Sequence, residues 1–210
     1  MIRSGLQTGD KNTMKVGIFG GTFDPIHFGH LNLAIRVLEK LDLNEIWFIP
    51  TSYSPFKTEE QSSPIEIRME MVYLAIDNIP HFRLIDIETE RPGPSYTIDT
   101  LKELQRDYPD HDFRLLMGYD AMRSFHEWKD PEEIVKIAPP VIACRNGKDF
   151  NMEVAEKDFV HQKLKQGICP IPIMEISSTD VRDRIQKGLY CGHLLPPKVL
   201  DFILDNHLYS

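Results

Sequence analysis

Short apolar runs alternate with amphipathic helical patterns along most of the chain, and this alternation constrains the fold more than any other feature. Because a strand–helix–strand order favours parallel neighbouring strands, it predicts an α/β fold with a doubly wound, mainly parallel sheet and helices on both faces. The predicted strands are residues 15–20, 45–50, 82–87, 112–117, 140–144 and 171–176. The predicted helices are residues 29–41, 65–76, 95–106, 131–138, 178–187 and 198–206.

The spacing of apolar residues predicts which side of the first two helices is buried. The inward residues expected in the first helix are Leu31, Ala34, Ile35 and Leu38, and those expected in the second are Met69, Val72 and Ile76. Residues 51–64 are rich in Ser, Pro and charge, and we expect a mobile loop there. Residues 146–167 are polar and are expected to be peripheral.

Composition narrows the class of protein. The 210 residues carry a formal net charge of −8, which argues against a nucleic-acid partner because such an interface needs clustered Lys and Arg. No apolar run approaches the roughly 20 residues that span a bilayer, so no membrane association is expected. Three cysteines without a C-x-x-C pair suit a reducing cytoplasm. We predict a single domain over residues 14–210, preceded by a disordered or non-native extension at 1–13.

The first motif is the string GGTFDPIHFGH at residues 20–30, between the first strand and the first helix. Glycines let the backbone approach a ligand, and the N-terminus of the helix that follows suits phosphate. Two histidines three residues apart, His27 and His30, can donate hydrogen bonds to phosphate oxygens, more strongly if protonated. The alternatives are histidines without a ligand, or a metal pair, for which no third close ligand is visible.

The second motif is the string ISSTDVR at residues 176–182, where the last predicted strand leads into a helix. Its hydroxyls lie at a helix N-terminus and Arg182 lies one turn inside, so together they can form a second anion site. Taken alone, a capped helix with a surface arginine explains this pattern equally well.

Together the two motifs resemble the signatures of the nucleotidyltransferase superfamily whose H-x-G-H motif is related to that of class I aminoacyl-tRNA synthetases. The resemblance implies a Rossmann-like fold and transfer of a nucleotidyl group, usually AMP, with release of pyrophosphate. The residues implied in binding ATP phosphates by these motifs are Gly20, Gly21, Thr22, Phe23, His27, Gly29, His30, Ile176, Ser177, Ser178, Thr179 and Arg182. Mg²⁺ is implied as a cofactor bound through the ATP phosphates, with no metal site on the protein.

The acceptor is suggested by other stretches, which resemble bacterial nicotinate-nucleotide adenylyltransferases over about residues 14–209. These are SYTIDTL at 95–101, GYD at 118–120, WK at 128–129 and Arg145. The resemblance implies that Trp128 stacks on the nicotinate ring and that Tyr96 and Thr97 lie beside its carboxylate. It assigns Gly118, Asp120 and Arg145 to nucleotide binding, with Asp120 accepting from ribose hydroxyls. Trp128 as a half-buried core residue and Asp120 as a helix cap are the alternatives.

One position departs from the family. The usual P-P-H-K is SPFK here, so Phe56 replaces a histidine, while Lys57 keeps a positive charge for phosphate.

From all these motifs together we expect ATP and nicotinate mononucleotide as substrates and His27, His30, Lys57 and Arg182 as catalytic residues. The alternatives are an adenylyltransferase for phosphopantetheine or nicotinamide mononucleotide, and a non-catalytic nucleotide-binding protein. A homo-oligomer is compatible with the sequence, which does not determine oligomeric state.

Overall fold

The computed structural model describes residues 13–52, 62–89, 93–145 and 158–210. These residues form a parallel six-stranded sheet in the order β3-β2-β1-β4-β5-β6. The strands are β1 (Lys15–Gly21), β2 (Glu45–Pro50), β3 (Phe82–Leu84), β4 (Asp112–Gly118), β5 (Pro140–Cys144) and β6 (Ile168–Pro170). This order is the one that doubly wound dinucleotide-binding sheets adopt, so the predicted fold class is confirmed.

Helices connect these strands throughout the described ranges. They are α1 (Phe28–Leu41), α2 (Ile65–Ile76), α3 (Thr97–Asp107), α4 (Tyr119–Arg123), α5 (Pro131–Ile137), α6 (Phe159–Gln166), α7 (Ser178–Gln186) and α8 (Pro197–Asp205), with one turn of 3₁₀ helix at Phe125–Glu127. Most of the predicted boundaries agree to within two residues. The third strand is shorter than predicted, because pairing with β2 ends at Leu84.

Alternate residues of the strands face opposite sides of the sheet and enter two separate apolar cores. On β2, Phe48 belongs to the core that contains residues of α1, α2, α7 and α8, whereas Trp47 belongs to the core that contains residues of α3, α5 and α6. Both side chains are fully buried. Helices therefore cover both faces of the sheet, as the alternation of strands and helices predicts.

The buried side of α2 differs from the prediction. Val72 and Ile76 are buried as expected, but Met71 is buried in place of Met69, and Arg68 is 2% exposed. The guanidinium of Arg68 is hydrogen-bonded to three backbone carbonyls, which compensates for its burial and turns this side of the helix inward. In α1 the predicted Leu31 and Ala34 are buried, and Ile35 and Leu38 are partly buried against the same core.

The sixth strand was predicted at the wrong place. It is Ile168–Pro170, and residues 171–176 form no strand. Ile171 donates a last backbone hydrogen bond to Cys144, and Pro172 has no N–H with which to continue the pairing. Residues 146–157 lie outside the described ranges, and the C-terminal part of the segment expected to be polar and peripheral contains the unpredicted helix α6.

The sheet opens between its two central strands. Pairing of β1 with β4 stops at Ile18 and Leu115, whereas β1 stays paired with β2 as far as Gly21. The carboxyl ends of β1 and β4 therefore diverge at the point where the strand order reverses, which is where doubly wound sheets bind ligands.

Candidate active site

A cavity of about 1440 Å³ lies at the diverging ends of β1 and β4. A site for one drug-sized ligand commonly occupies about 300–1,000 Å³. The volume of this cavity exceeds that range. The cavity is lined by the ends of β1, β4 and β5 and by the starts of α1, α3, α4 and α7.

All the predicted site residues within the described ranges line this one cavity. They are Gly20, Gly21, Thr22, Phe23, His27, Gly29, His30, Tyr96, Thr97, Gly118, Asp120, Trp128, Arg145, Ile176, Ser177, Ser178, Thr179 and Arg182. Lys57 and Phe56 lie outside the described residues. Motifs separated by more than a hundred residues in sequence therefore meet in one place.

His27 and His30 cap the start of α1 together. Nδ1 of His27 accepts a hydrogen bond from the backbone N–H of His30, and Nδ1 of His30 accepts one from the backbone N–H of His27, both at 3.3 Å. The rings stack with centroids 3.6 Å apart. Because a backbone N–H can only donate, Nδ1 of each neutral ring must be unprotonated, and the ring proton resides on Nε2. Each ring thus has one N–H left to offer a ligand.

Both histidines are neutral at pH 7. Burial lowers the pKa of His27, a residue that is only 4% exposed, to about 4. Burial, and secondly the repulsion that two protonated imidazoles side by side would experience, lower the pKa of His30 well below its usual range. Phe23 contributes to this apolar environment, with its ring edge-on to His30 at 5.1 Å. The imidazoles are therefore neutral donors in this structure, and the protonated form considered from the sequence is disfavoured.

Two glycines of the first motif have different surroundings. A Cβ added to Gly29 would lie 3.0 Å from Nδ1 of His27 and 3.0 Å from the backbone oxygen of Met174. Gly29 therefore allows the start of α1 to pack against the segment before α7. A Cβ on Gly20 would meet no atom within 4 Å, because this glycine faces the cavity and leaves room for a ligand.

The second motif is fixed against the first by hydrogen bonds. The hydroxyl of Ser177 caps α7 by accepting from the backbone N–H of Thr179 at 3.2 Å. The Ser178 hydroxyl donates to the carbonyl of Pro25 at 2.9 Å. Arg182 donates to the carbonyl of Asp24 at 2.7 Å. The helix starts of α1 and α7 therefore face the same part of the cavity, which we call the phosphate end (residues 20–30 and 177–182).

Side chains of α1 also anchor the segment that leads to α7. Asn32 donates to the carbonyl of Pro172 at 2.7 Å, and Lys40 donates to the carbonyl of Pro170 at 2.6 Å. These bonds keep the irregular segment 171–176 alongside α1. Nearby, Arg145 forms an ion pair with Glu175 at 2.6 Å, and both side chains are more than half exposed.

The other end of the cavity, which we call the acceptor end, consists of residues 95–100 and 128–129. Helix α3 begins after Tyr96 without a side-chain cap. Trp128 is partly buried and its ring packs on that of Phe125, which is fully buried, at a centroid distance of 5.0 Å. Lys129 lies over the Tyr96 ring at 4.7 Å and pairs with Asp99 at 3.0 Å. The N-cap position of α4 is held by Gly118, and Asp120 is the second residue of the helix. Asp120 therefore does not have the capping role that was its alternative.

Sequence reasoning missed several polar residues at the site. Glu88 is 6% exposed, lines the cavity and accepts from the Thr100 hydroxyl at 2.7 Å. Asp24 of the phosphate end, which is buried, forms a cluster with the buried Arg68 and the partly buried Tyr209. The sequence gives one indication of the role of Arg68: it is the only cation in α2, and it lies on the side of that helix that carries the buried residues.

The described ranges contain neither a metal-binding cluster nor a helix that could span a membrane. No group of three or more His, Cys, Asp or Glu side chains there could hold a metal ion. No helix there is long and apolar enough to cross a bilayer.

Comparison with known proteins places the chain among its relatives. Residues 18–184 match the family described as cytidylyltransferase-like. The chain is 40% identical over 200 residues to a protein of Dehalococcoides mccartyi strain CBDB1 named "Probable nicotinate-nucleotide adenylyltransferase", and the match covers 94% of this chain and 98% of that protein. A protein of the same name from Bacillus licheniformis is 40% identical over 196 residues, with 93% and 98% covered.

Solved structures share the fold. The nicotinic acid mononucleotide adenylyltransferase of Plasmodium falciparum, solved in complex with NaAD, superposes with a TM-score of 0.74 at 22% identity, covering 93% of this chain and 97% of that one. With the fold, the cavity and both motifs in place, these identities confirm the relationship that the sequence motifs indicate: the chain belongs to the nicotinate-nucleotide adenylyltransferase family, within the cytidylyltransferase-like group.

Proposed function

We propose that the chain transfers AMP from ATP to nicotinate mononucleotide, giving nicotinate adenine dinucleotide and pyrophosphate, a step of NAD biosynthesis. The observation that carries the proposal is the meeting of two anion-binding helix starts, α1 and α7, at one end of a cavity whose other end holds Trp128. Relatives that are 40% identical over nearly the whole chain have the name of this enzyme.

The reaction needs positioning more than acid–base chemistry. An oxygen of the acceptor's 5′-phosphate forms a bond to the α-phosphorus of ATP, the bond from that phosphorus to the bridging oxygen breaks, and pyrophosphate leaves. The attacking phosphate is already an anion, so no general base is assigned. Catalysis then consists of alignment and of stabilising the charge that develops on the transferred phosphoryl group.

The phosphate end supplies this stabilisation. His27 and His30 would donate from Nε2 to oxygens of the α- and β-phosphates, in an apolar environment that strengthens such hydrogen bonds. Thr22 would add a hydroxyl near the same phosphates. Thr179 and Arg182, with the amides at the start of α7, would hold the β- and γ-phosphates. Lys57 is proposed to add a positive charge, as its place in the family motif implies.

Mg²⁺ is proposed to arrive as part of the substrate, bound to the triphosphate and keeping several of its waters. In the described ranges no group of three or more His, Cys, Asp or Glu side chains could hold the ion, so the triphosphate and water would supply its ligands. The ion would neutralise part of the triphosphate charge. We assign it no protein ligand.

The acceptor end would select the nicotinate nucleotide. The Trp128 ring offers a flat face for the pyridine ring, and the amides at the start of α3, with the Thr97 hydroxyl, suit its carboxylate. Asp120, exposed on the cavity wall, would accept from ribose hydroxyls. A site built around an anion disfavours the carboxamide, because that substrate would leave the donors poorly matched.

Pyrophosphate release from MgATP, measured in parallel with nicotinate mononucleotide, nicotinamide mononucleotide and phosphopantetheine, tests the proposal. We expect release with the first acceptor and at least tenfold less with the others. Faster release with another acceptor would overturn the assignment of the acceptor end. ATP binding without release from any acceptor would favour a non-catalytic nucleotide-binding protein.

Other expectations from the sequence stay predictions. These are a cytoplasmic location, a single domain over residues 14–210, a disordered or non-native extension at 1–13, the absence of a nucleic-acid partner, and the oligomeric state.

A further inference from the structure

A cluster of buried and partly buried polar side chains connects the phosphate end, through Asp24, to α2 and to the residues that follow α8. Asp24 is 3% exposed and Arg68 is 2% exposed. The hydroxyl of Tyr209 donates to one carboxylate oxygen of Asp24 at 2.5 Å, and the backbone N–H of Ser63 donates to the other at 3.2 Å. Buried charges are costly unless they are paired and hydrogen-bonded, and here both oxygens of the carboxylate are occupied.

Arg68 joins separate stretches of backbone through this cluster. From α2 it donates to the carbonyl of Thr22 at 2.9 Å, to that of Ser63 at 2.8 Å and to that of Ser52 at 3.2 Å. Thr22 lies in the first motif, and Ser52 follows the end of β2. A planar guanidinium with donors on three sides can satisfy such a set, whereas an ammonium group cannot reach all three in one geometry.

Asp24 connects this cluster to Arg182 and to the first motif. Its carboxylate faces Tyr209 and Ser63, while its backbone carbonyl accepts from Arg182. The preceding residue, Phe23, has a φ of 50° and packs its ring against His30. A non-glycine residue rarely adopts a positive φ, so neighbouring contacts must hold it there. The position of Asp24 therefore bears on both Arg182 and His30.

The residues after α8 are held by backbone hydrogen bonds. After α8, His207 and Tyr209 have φ values of 50° and 64°, and the backbone N–H of Leu208 bonds back to Ile203 at 3.0 Å. Burial, and then the hydrogen bond to Asp24, raise the pKa of Tyr209, so its hydroxyl stays protonated and acts as the donor.

We propose that Tyr209 is a positioning residue for adenylyl transfer, acting through Asp24 to hold the first motif in the geometry that the phosphates require. The turn that holds Tyr209 is then part of the catalytic framework, although Tyr209 does not line the cavity. This inference rests on the proposed function, since it assigns a role in that reaction.

Tyr209→Phe removes one hydroxyl and keeps the ring. We expect kcat for pyrophosphate release to fall by about tenfold, with the KM values for ATP and acceptor within about twofold, because a small displacement of aligned groups affects the transition state most. Tyr190→Phe is the matched control, since that ring is 73% exposed and should change nothing. Assays are made well below the melting temperature of each variant, so that loss of folded protein does not contribute.

A double-mutant cycle with Asp24→Asn tests the route. If Tyr209 acts through Asp24, the double variant should lose no more than about the larger single loss, because the two changes disable one contact. Effects on kcat that multiply would overturn the proposal. So would a Tyr209→Phe enzyme with a lower melting temperature and unchanged kcat, which is what a purely structural residue would give. Failure of the wild type to release pyrophosphate would instead refute the proposed function itself.

Discussion

The phosphate end and the acceptor end of the cavity differ in how firmly folding fixes them. At the phosphate end, polar groups are bonded to one another: the two histidines cap each other, and Ser178 and Arg182 bond to carbonyls of the first motif. At the acceptor end, α3 starts without a side-chain cap, and the Lys129–Asp99 pair is 45% and 38% exposed. Exposed pairs of this kind contribute little to stability.

This difference predicts that the two ends have different roles, one in stabilising the transition state and the other in selecting the acceptor. Groups whose hydrogen bonds are completed by the fold are held before substrate arrives, which is what stabilisation of a transition state requires. Groups that are partly exposed can adapt to an acceptor, and we propose that those at the acceptor end select it. Changes at the phosphate end should therefore lower kcat for every acceptor, whereas changes at the acceptor end should raise KM for the acceptor alone.

The largest effect is expected from His30→Ala, which should lower kcat by roughly 10²–10³, the loss typical of one transition-state donor. His30→Asn should lose nearly as much, since it can still accept from the His27 N–H but cannot place a donor where Nε2 lies. His193→Ala, an exposed histidine that does not line the cavity, is the control. Full activity in the Asn variant would mean that His30 serves only to cap α1.

Arg182→Ala should reduce kcat/KM for ATP by about 30-fold, a loss on the order of 2 kcal/mol that hydrogen bonds to charged groups commonly show. The same factor should appear with each acceptor, because the loss lies on the ATP side. Arg184→Ala, on the same helix but outside the cavity, is the comparison variant. A change confined to the KM of the acceptor would contradict the placement of Arg182.

Stability should fall as the pH drops from about 6.5 towards 4. The folded-state pKa of His27 is lowered to about 4, so the unfolded chain binds more protons across this window and gains on acidification. For His27 alone the loss is about 2 kcal/mol by pH 5 relative to pH 8. Urea unfolding at pH 5 and at pH 8 measures this loss of stability. His27→Asn is the control, because asparagine can cap the helix but does not titrate. An equal loss in that variant would rule out His27 as the source.

The smallest effect is expected from Trp128→Ala, which should raise KM for the acceptor about tenfold, within the range of one ring-stacking contact. KM for ATP should stay within about twofold, and Trp128→Phe should recover most of the affinity. Steady-state kinetics with each substrate varied in turn distinguishes these outcomes. An equal rise in both KM values would show that the two ends are not separate.

The success of each sequence prediction depends on how far apart along the chain the interacting residues lie. The strand–helix alternation and the two motifs are local, so the fold class and the convergence of the motifs on one cavity were predictable. The sixth strand was misplaced because an apolar run containing Pro172 resembles a strand, and only the pairing partner shows where the ladder ends. The contact of Tyr209 with Asp24 spans 185 positions, and no sequence pattern indicates which buried carboxylate a terminal tyrosine will meet.

A crystal structure with nicotinate adenine dinucleotide tests the central claim, that one cavity holds both nucleotides in a fixed orientation. We predict the bridging phosphates within hydrogen-bonding distance of Nε2 of His27 and His30, the pyridine ring on Trp128, and its carboxylate at the start of α3. Phosphates bound away from the two histidines, or a pyridine ring outside the acceptor end, would contradict the account.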